Sequence, residues 1–483
     1  MTRRTRTIFL ILAALGLILR LREYAACPSY WYDEAYLLLN IFDKTYLDLL
    51  GPLREDQAAP PLFLWLLRGL YLVFGGSEWA MRLPALTASI VGFLSMGPLS
   101  RRVVGQGGWL WAVAFAALGH RAIAHAIEVK PYAFDFLMSA SILLTAIHCR
   151  AGIRGRWPWI VLCVLAALAP WLSYPSVFVV GAAIGSVLVR ALRRRPVAWI
   201  GTETVLAFLA GGIFLFSTAA LWHGVVRHQA TASLQVYWSS SFLDLSSPRA
   251  AASWIGYRLL EIGNYSTREM GLPLVILALI GGWTLRRRCD VLVLSIGPFL
   301  LALVASALRL YPLGGRLLFF LTPCLWLLAA RGLGALARRL PARWVRVGWI
   351  VPVVLFVPAL GWAGRLLLQV TPRCQFREAF AFVDQNIQKG EALWVSHPQV
   401  FEVYRGAAPD LSAYSPPELV ERTARTHRLW MVCAVAGSRE RYTAAETVAR
   451  VKEVAGRPLI RRRFRGLEVV LYAPTSGRDE AGR

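Results

Sequence analysis

Lysine is scarce in this 483-residue chain, whose positive charge is almost all arginine, and acids are few: 28 Asp and Glu stand against 53 Lys and Arg. Only 17% of residues are charged, 57% are hydrophobic, and mean hydropathy is +0.50. That excludes a soluble globular domain of ordinary composition. The net charge of +25 does not argue for a nucleic-acid partner, because the basic residues stand in short runs between apolar segments: Arg101-Arg102, Arg150 to Arg156, Arg193-Arg194-Arg195, Arg286-Arg287-Arg288 and Arg338-Arg339 to Arg346. Charge placed in this way reports membrane topology. No CxxC pair and no histidine cluster suggests a structural metal site. The seven cysteines are odd in number; Cys149, Cys163, Cys289 and Cys324 fall in or beside apolar segments, and the sequence does not decide a disulfide among Cys27, Cys374 and Cys433. The basic start Met1-Thr2-Arg3-Arg4 has no clear small-residue cleavage site after it, so the first apolar segment is expected to be an uncleaved span.

What is abundant is apolar sequence in span-length runs. A bilayer-crossing helix needs about 20 mostly apolar residues. Segments of that kind lie at 7–22, 83–100, 108–126, 132–149, 157–172, 174–192, 198–222, 271–285, 290–308, 315–332 and 344–363. A shorter run at 62–75 carries Arg68 and reads as re-entrant or interfacial. With that run discounted, about eleven crossings place every basic cluster in the cytoplasm. Asp33, the 128–135 stretch, the long loop 223–270, the 311–316 loop and the carboxyl-terminal region then all face outward. The 223–270 loop, with Tyr237-Trp238, Trp254 and Tyr257, is expected to hold a surface helix near 248–262. The run 35–50 is partly amphipathic and is expected to lie along the membrane.

Beyond Leu368 helical patterns (376–388, 417–427, 439–454) alternate with β-rich runs (392–396, 429–435, 467–472). This is the signature of a small α/β domain, and it carries no glycine-rich phosphate loop. The expected organisation is therefore mostly α: a polytopic membrane helix bundle over 1–371, an extracytoplasmic α/β domain over 372–475 and a polar tail over 476–483.

Four stretches could carry chemistry. Asp33-Glu34 follow the first span, where paired carboxylates can bind a metal or take a proton from a hydroxyl. The same spacing also fits a purely structural role, with Asp33 capping the next helix and Glu34 in its first turn. Glu128-Val129-Lys130-Pro131-Tyr132-Ala133-Phe134-Asp135 sets two acids, one of the few lysines and a tyrosine at the start of a span. An ordinary interfacial cluster would look alike. Arg316, at the outer mouth of a span, suits a phosphate because its planar fork engages two oxygens, although a snorkelling arginine fits equally. The fourth stretch, Asp56-Gln57-Ala58-Ala59-Pro60-Pro61-Leu62 with Gly75 to Pro84, contributes Gln57 and Arg82 as candidate substrate contacts, and its paired prolines set a chain direction.

In order along the chain, the Asp-Glu pair, PPLF (Pro60 to Phe63), FGGSEWAMRLP (Phe74 to Pro84), EVKPYAFD (Glu128 to Asp135) and GRLLFFLTP (Gly315 to Pro323) resemble the protein mannosyltransferase and aminoarabinose transferase type of GT-C glycosyltransferases. The resemblance covers most of the first 135 residues and, more weakly, 310–335. It implies a multi-pass enzyme, with bacterial inner membrane as the compositional expectation. Such an enzyme works on the extracytoplasmic face with a sugar donor carried on a polyprenyl phosphate and a glycan, lipid or protein acceptor. It implies Asp33 as catalytic base and a metal contact, Glu34 as its catalytic neighbour in the acceptor or metal site, and Lys130 with Arg316 on the donor phosphate, with Gln57, Arg82, Glu128, Tyr132 and Asp135 lining the substrate site. A divalent cation is an alternative source of positive charge. Ala59 stands where many relatives have His, and GRLLFF lacks the usual Arg-Tyr step. A transporter or flippase would instead show internal repeats and charges deep within spans, and neither is evident. A membrane scaffold would leave the Asp33-Glu34 and 128–135 clusters without a purpose.

Overall fold

The computed structural model describes residues 2–150, 155–194, 202–268, 270–339, 350–370, 372–434, 441–455 and 457–474. The chain divides into two compact units. One comprises Met1–Ala25, Thr45–Val73 and Trp79–Val370, and the other Ala26–Lys44, Phe74–Glu78 and Thr371–Arg483.

The first unit is a helix bundle. Among the described residues six helices are long and apolar enough to cross a membrane, and seven if the bent pair Trp109–Leu118 and His120–Ile127 forms one span. Three shorter apolar helices, Trp157–Leu172, Gly271–Thr284 and Leu355–Leu368, coincide with further expected spans. The 24-residue helix Arg3–Ala26 accounts for the first. Pro61–Phe74 is a short apolar helix, and residues 344–349 of the last expected span lie outside the described residues. The outward faces stay apolar, as at Val205, Phe208, Leu215, Phe216, Leu279 and Val304. Such surfaces require lipid.

Close packing inside the bundle depends on small residues. Helices Gly271–Thr284 and Thr322–Arg339 approach so tightly that a Cβ on Gly281 would lie 1.9 Å from the Leu328 carbonyl oxygen, and one on Gly332 2.0 Å from that of Leu277. Without a hydrophobic driving force between helices in lipid, such backbone contact is what holds them.

The second unit is built on a five-stranded sheet in the order β2-β1-β3-β5-β4, from β1 (Ala392–Val395), β2 (Leu411–Ser412), β3 (Leu429–Ala434), β4 (Ile460–Phe464) and β5 (Leu467–Tyr472). β2, β1 and β3 run parallel, and β5 and β4 add antiparallel. Side-chain alternation divides the strands between two cores. Trp430, Val432, Leu467, Val469 and Leu471 join Phe376, Phe380 and Val400 on one face. Leu429, Met431, Val470 and Tyr472 join Val420 and Val451 on the other. A sheet covered on both faces explains why β3 and β5 read as continuous apolar runs.

Helix Tyr32–Asp43 belongs to this second unit. Ala35, 0% exposed, sits in the first of the two cores, and the helix packs on Pro398–Arg405. The run at 35–50 is therefore not one membrane-surface helix: it stops at Asp43 and a separate 3-10 turn follows at Asp48–Leu50. Its amphipathic pattern serves a protein core. Among the described residues no two cysteines form a disulfide.

Candidate active site

Gly119 interrupts the third apolar segment and bends the span by 52°. A Cβ there would lie 2.8 Å from both the Phe115 carbonyl oxygen and the Trp326 ring, so no larger residue fits. Side chains from neighbouring helices take up backbone groups on both sides of the bend. Arg20, fully buried, donates through Nη2 to the Ala116 carbonyl (3.0 Å), through Nη1 to that of Gly16 (2.9 Å) and through Nε to Ser89 Oγ (2.9 Å). Ser89 passes its own proton to the Ala122 carbonyl at 3.0 Å. A broken helix is tolerated inside a bilayer only when its freed backbone groups find such partners. The break turns the chain into the segment His125 to Pro131.

That segment gathers most of the first unit's candidate residues. Lys130, 5% exposed, donates to Gln57 Oε1 at 2.6 Å, and its backbone N–H closes a tight turn on the Glu128 carbonyl at 2.7 Å. Gln57 is braced by its amide on the Glu55 carbonyl (2.9 Å), and Glu55 and Asp56 before it both hold positive φ, at 59° and 48°. Two consecutive non-glycine residues in that region are strained, which is commonest where a side chain must be aimed. Glu128 bonds to His125 Nδ1, and His125 Nε2 lies 2.7 Å from the Tyr265 hydroxyl. Asp135 accepts from the Ser173 hydroxyl at 2.6 Å, tying the start of its span to the next helix pair.

Arg316 lies between two rings, 5.7 Å from the centroid of Tyr132 and 5.9 Å from that of Trp238. Its position is set one residue earlier. Gly315, at φ 52°, donates its N–H to Glu261 Oε1 at 2.9 Å, while Glu261 Oε2 pairs with Arg258 at 2.5 Å. A helix is present in this loop as Pro248–Thr267, started by Pro248 and capped by Ser247 Oγ, which accepts from Ala250 N–H at 3.1 Å. The paired prolines are held as well. Ala59 donates its N–H to Gln229 Oε1 (3.1 Å) and accepts at its carbonyl from Tyr174 (2.9 Å). Arg82 is buried on helix Glu78–Val103.

Asp33 and Glu34 stand on the second unit, both buried, at positions two and three of their helix. The residue that caps this helix is Trp31 rather than Asp33, and Glu34 Oε2 accepts from the Trp31 N–H at 3.2 Å. Glu34 therefore has a definite structural task, and Asp33 does not act as the cap. The segment is fastened to the carboxyl-terminal residues. Ser29 donates to the Cys374 carbonyl (2.7 Å), Tyr30 N–H to the Tyr404 hydroxyl (2.7 Å), and Arg373 covers the Trp31 ring at 4.3 Å. Glu78, from the FGGSE motif, accepts from Tyr404, Arg377 and Cys27.

Lys130, Gln57, Glu128, Tyr132 and Arg316, the residues expected to line the donor site, all lie in the first unit. His125, Tyr265, Glu261 and Trp238 join them in the structure without having stood out as site residues in the sequence. The only signal for the last three was the unusual polar and aromatic content of the 223–270 loop. Among the described residues no group of three or more His, Cys, Asp or Glu side chains is arranged to hold a metal ion.

Solved structures of GT-C glycosyltransferases share this fold. The chain superposes on ArnT from Cupriavidus metallidurans in the apo state (TM-score 0.53, 13% identity, 97% of this chain and 98% of that one) and bound to undecaprenyl phosphate (0.51, 14%, 98% of each). It also superposes on the Archaeoglobus fulgidus oligosaccharyltransferase in complex with zinc and sulfate (0.52, 11%, 92% of this chain and 71% of that one). Residues 58–222 match the family model of the dolichyl-phosphate-mannose-protein mannosyltransferases. No curated protein sequence matches the chain. The resemblance expected from the motifs is borne out, and the protein is an integral multi-pass membrane protein with the GT-C fold.

Proposed function

We propose that this chain is a glycosyltransferase that moves one sugar from a polyprenyl-phosphate donor to an acceptor outside the cytoplasm. The observation that carries the reading is the buried Lys130, held by Gln57 two residues from the ring on which Arg316 rests. Two fixed cations flanking one tyrosine inside a membrane protein suit the phosphate of a lipid carrier. The family match and the GT-C fold support the same class of reaction.

In the proposed reaction Asp33 takes the proton from the acceptor hydroxyl. The acceptor oxygen bonds to the anomeric carbon as the bond to the phosphate oxygen breaks, and the electron pair leaves with the polyprenyl phosphate. Configuration inverts in this single displacement. Lys130 and Arg316 neutralise the charge that grows on the leaving phosphate. Glu34 orients the helix start, and Gln57, Arg82, Glu128, Tyr132 and Asp135 shape and brace the donor site. Among the described residues no three His, Cys, Asp or Glu side chains are arranged to hold a metal; a divalent cation bound at Asp33 would take its further ligands from the donor and supply positive charge beside the phosphate. In this reading the sheet-bearing unit, 372–475 together with 26–44 and 74–78, shapes the acceptor side, the rest of 1–371 is the membrane domain, 476–483 the tail and the bacterial inner membrane the location.

The test is consumption of radiolabelled polyprenyl-phosphate sugars by the purified protein. Wild type should consume at least one donor, and Lys130→Ala should raise the donor KM. A wild type that consumes none while binding and moving lipid across vesicles would favour a flippase.

A further inference from the structure

We infer that His125 is a positioning residue for the donor-phosphate site and acts through Glu128. The inference rests on the proposed reading of Lys130 and Arg316 as phosphate ligands.

His125 is 2% exposed and enclosed by the rings of Tyr132, Tyr265 and Phe319, whose centroids lie 4.8, 5.9 and 4.8 Å from its own. Its two nitrogens reach in different directions, Nδ1 to the Glu128 carboxylate and Nε2 to the Tyr265 hydroxyl at 2.7 Å. An ionised carboxylate only accepts, so Nδ1 carries the proton toward Glu128 and Nε2 accepts from Tyr265 in the neutral ring. The imidazole thus joins the turn bearing Lys130 to helix Pro248–Thr267.

The same helix presents Glu261 to the N–H of Gly315, next to Arg316. One helix therefore sets both cations, Lys130 through His125 and Glu128, and Arg316 through Glu261. A phosphate that must be gripped from two sides needs their spacing fixed before it arrives, and a rigid linker between the two arms provides this. His125 touches neither substrate nor the reacting atoms, and its contribution is the place at which Lys130 is held.

The test measures binding of undecaprenyl phosphate to the purified full chain in detergent, with thermal unfolding of each variant as a control. Asn in place of His125 sets an amide nitrogen near the Nδ1 position and keeps the Glu128 contact, whereas Gln reaches the Nε2 position and keeps only Tyr265. His125→Asn should stay within roughly threefold of wild type. His125→Gln should weaken binding about tenfold or more, the scale of a lost hydrogen bond to a charged group. In a Glu128→Ala background His125→Gln should cost nothing further, because both changes remove one interaction.

Equal losses for Asn and Gln, or additive losses in the double variant, would make His125 a packing residue and overturn the inference. If His125→Gln does not fold, Tyr265→Phe replaces it; a loss of donor binding supports the link, and unchanged binding overturns it. Wild type that binds no undecaprenyl phosphate would remove the donor reading and this inference with it. Wild type that binds while folded His125→Gln binds equally well would remove the inference alone.

Discussion

Tyr404→Phe should loosen the segment that carries Asp33 while leaving the sheet beneath it folded. The Tyr404 hydroxyl takes the N–H of Tyr30, itself 1% exposed, at 2.7 Å and gives its own proton to Glu78. Removing one oxygen breaks both bonds, one of them to a carboxylate, and strands polar groups in a buried setting. The expected cost is about 2 to 4 kcal/mol. Because Tyr30 lies two residues before helix Tyr32–Asp43, this cost falls on local opening of residues 28–43. Even 2 kcal/mol is roughly a thirtyfold increase in the open population. Amide hydrogen exchange measures it directly: peptides over 28–43 should exchange at least tenfold faster in the variant, while those over β3 and β5 stay protected. The proposed role of Asp33 adds that kcat should fall with donor binding retained. Exchange over 28–43 unchanged from wild type would refute the view that the carboxyl-terminal residues hold the Asp33 segment in place.

Two further outcomes follow from packing and charge. Gly332→Leu places a side chain against the Leu277 carbonyl, where a Cβ alone would sit at 2.0 Å, so the two helices must separate; stability in detergent should drop by several kcal/mol, and an unchanged Tm would contradict the contact. Burial holds the His397 imidazole down at about 4, from its ordinary 6.5, so the folded unit keeps it neutral while the unfolded chain takes up a proton below about pH 6.5. Stability present above that pH should decline as pH falls to about 4, by about 3 kcal/mol in all, and then level off; His397→Gln should flatten this slope in thermal unfolding, and the same slope in the variant would refute the assignment.

The parts of the fold legible in the sequence are those whose pattern depends on one solvent or one core. The spans were readable because lipid demands apolar length, and β1, β3 and β5 because a doubly covered sheet leaves continuous apolar runs. β4 was not, since Arg461, Arg462 and Arg463 on an exposed edge strand carry no such pattern. The eight-residue helix Pro398–Arg405 is too short to show a period. The bend at Gly119 hides in an apolar run, where a single glycine has no visible consequence until Arg20 and Ser89 are seen to serve the carbonyls beside it.

The candidate site divides along the same line. Lys130 and Arg316 stood out because a charge at a span end is costly and therefore conspicuous. His125 did not, because its meaning lies in Tyr265, which is 140 residues away in sequence. The amphipathic face of helix Tyr32–Asp43 was legible as a face, but not its partner; a core and a membrane surface ask for the same pattern.

Sugar transfer from a polyprenyl-phosphate donor, compared between purified wild type and folded Asp33→Asn, decides whether this chain is the proposed enzyme. Wild type should transfer sugar, and Asp33→Asn should lose roughly 10²-fold or more in kcat with lipid-phosphate binding intact. Transfer by Asp33→Asn at the wild-type rate, or a wild type that neither binds nor consumes any such donor, would contradict the proposal.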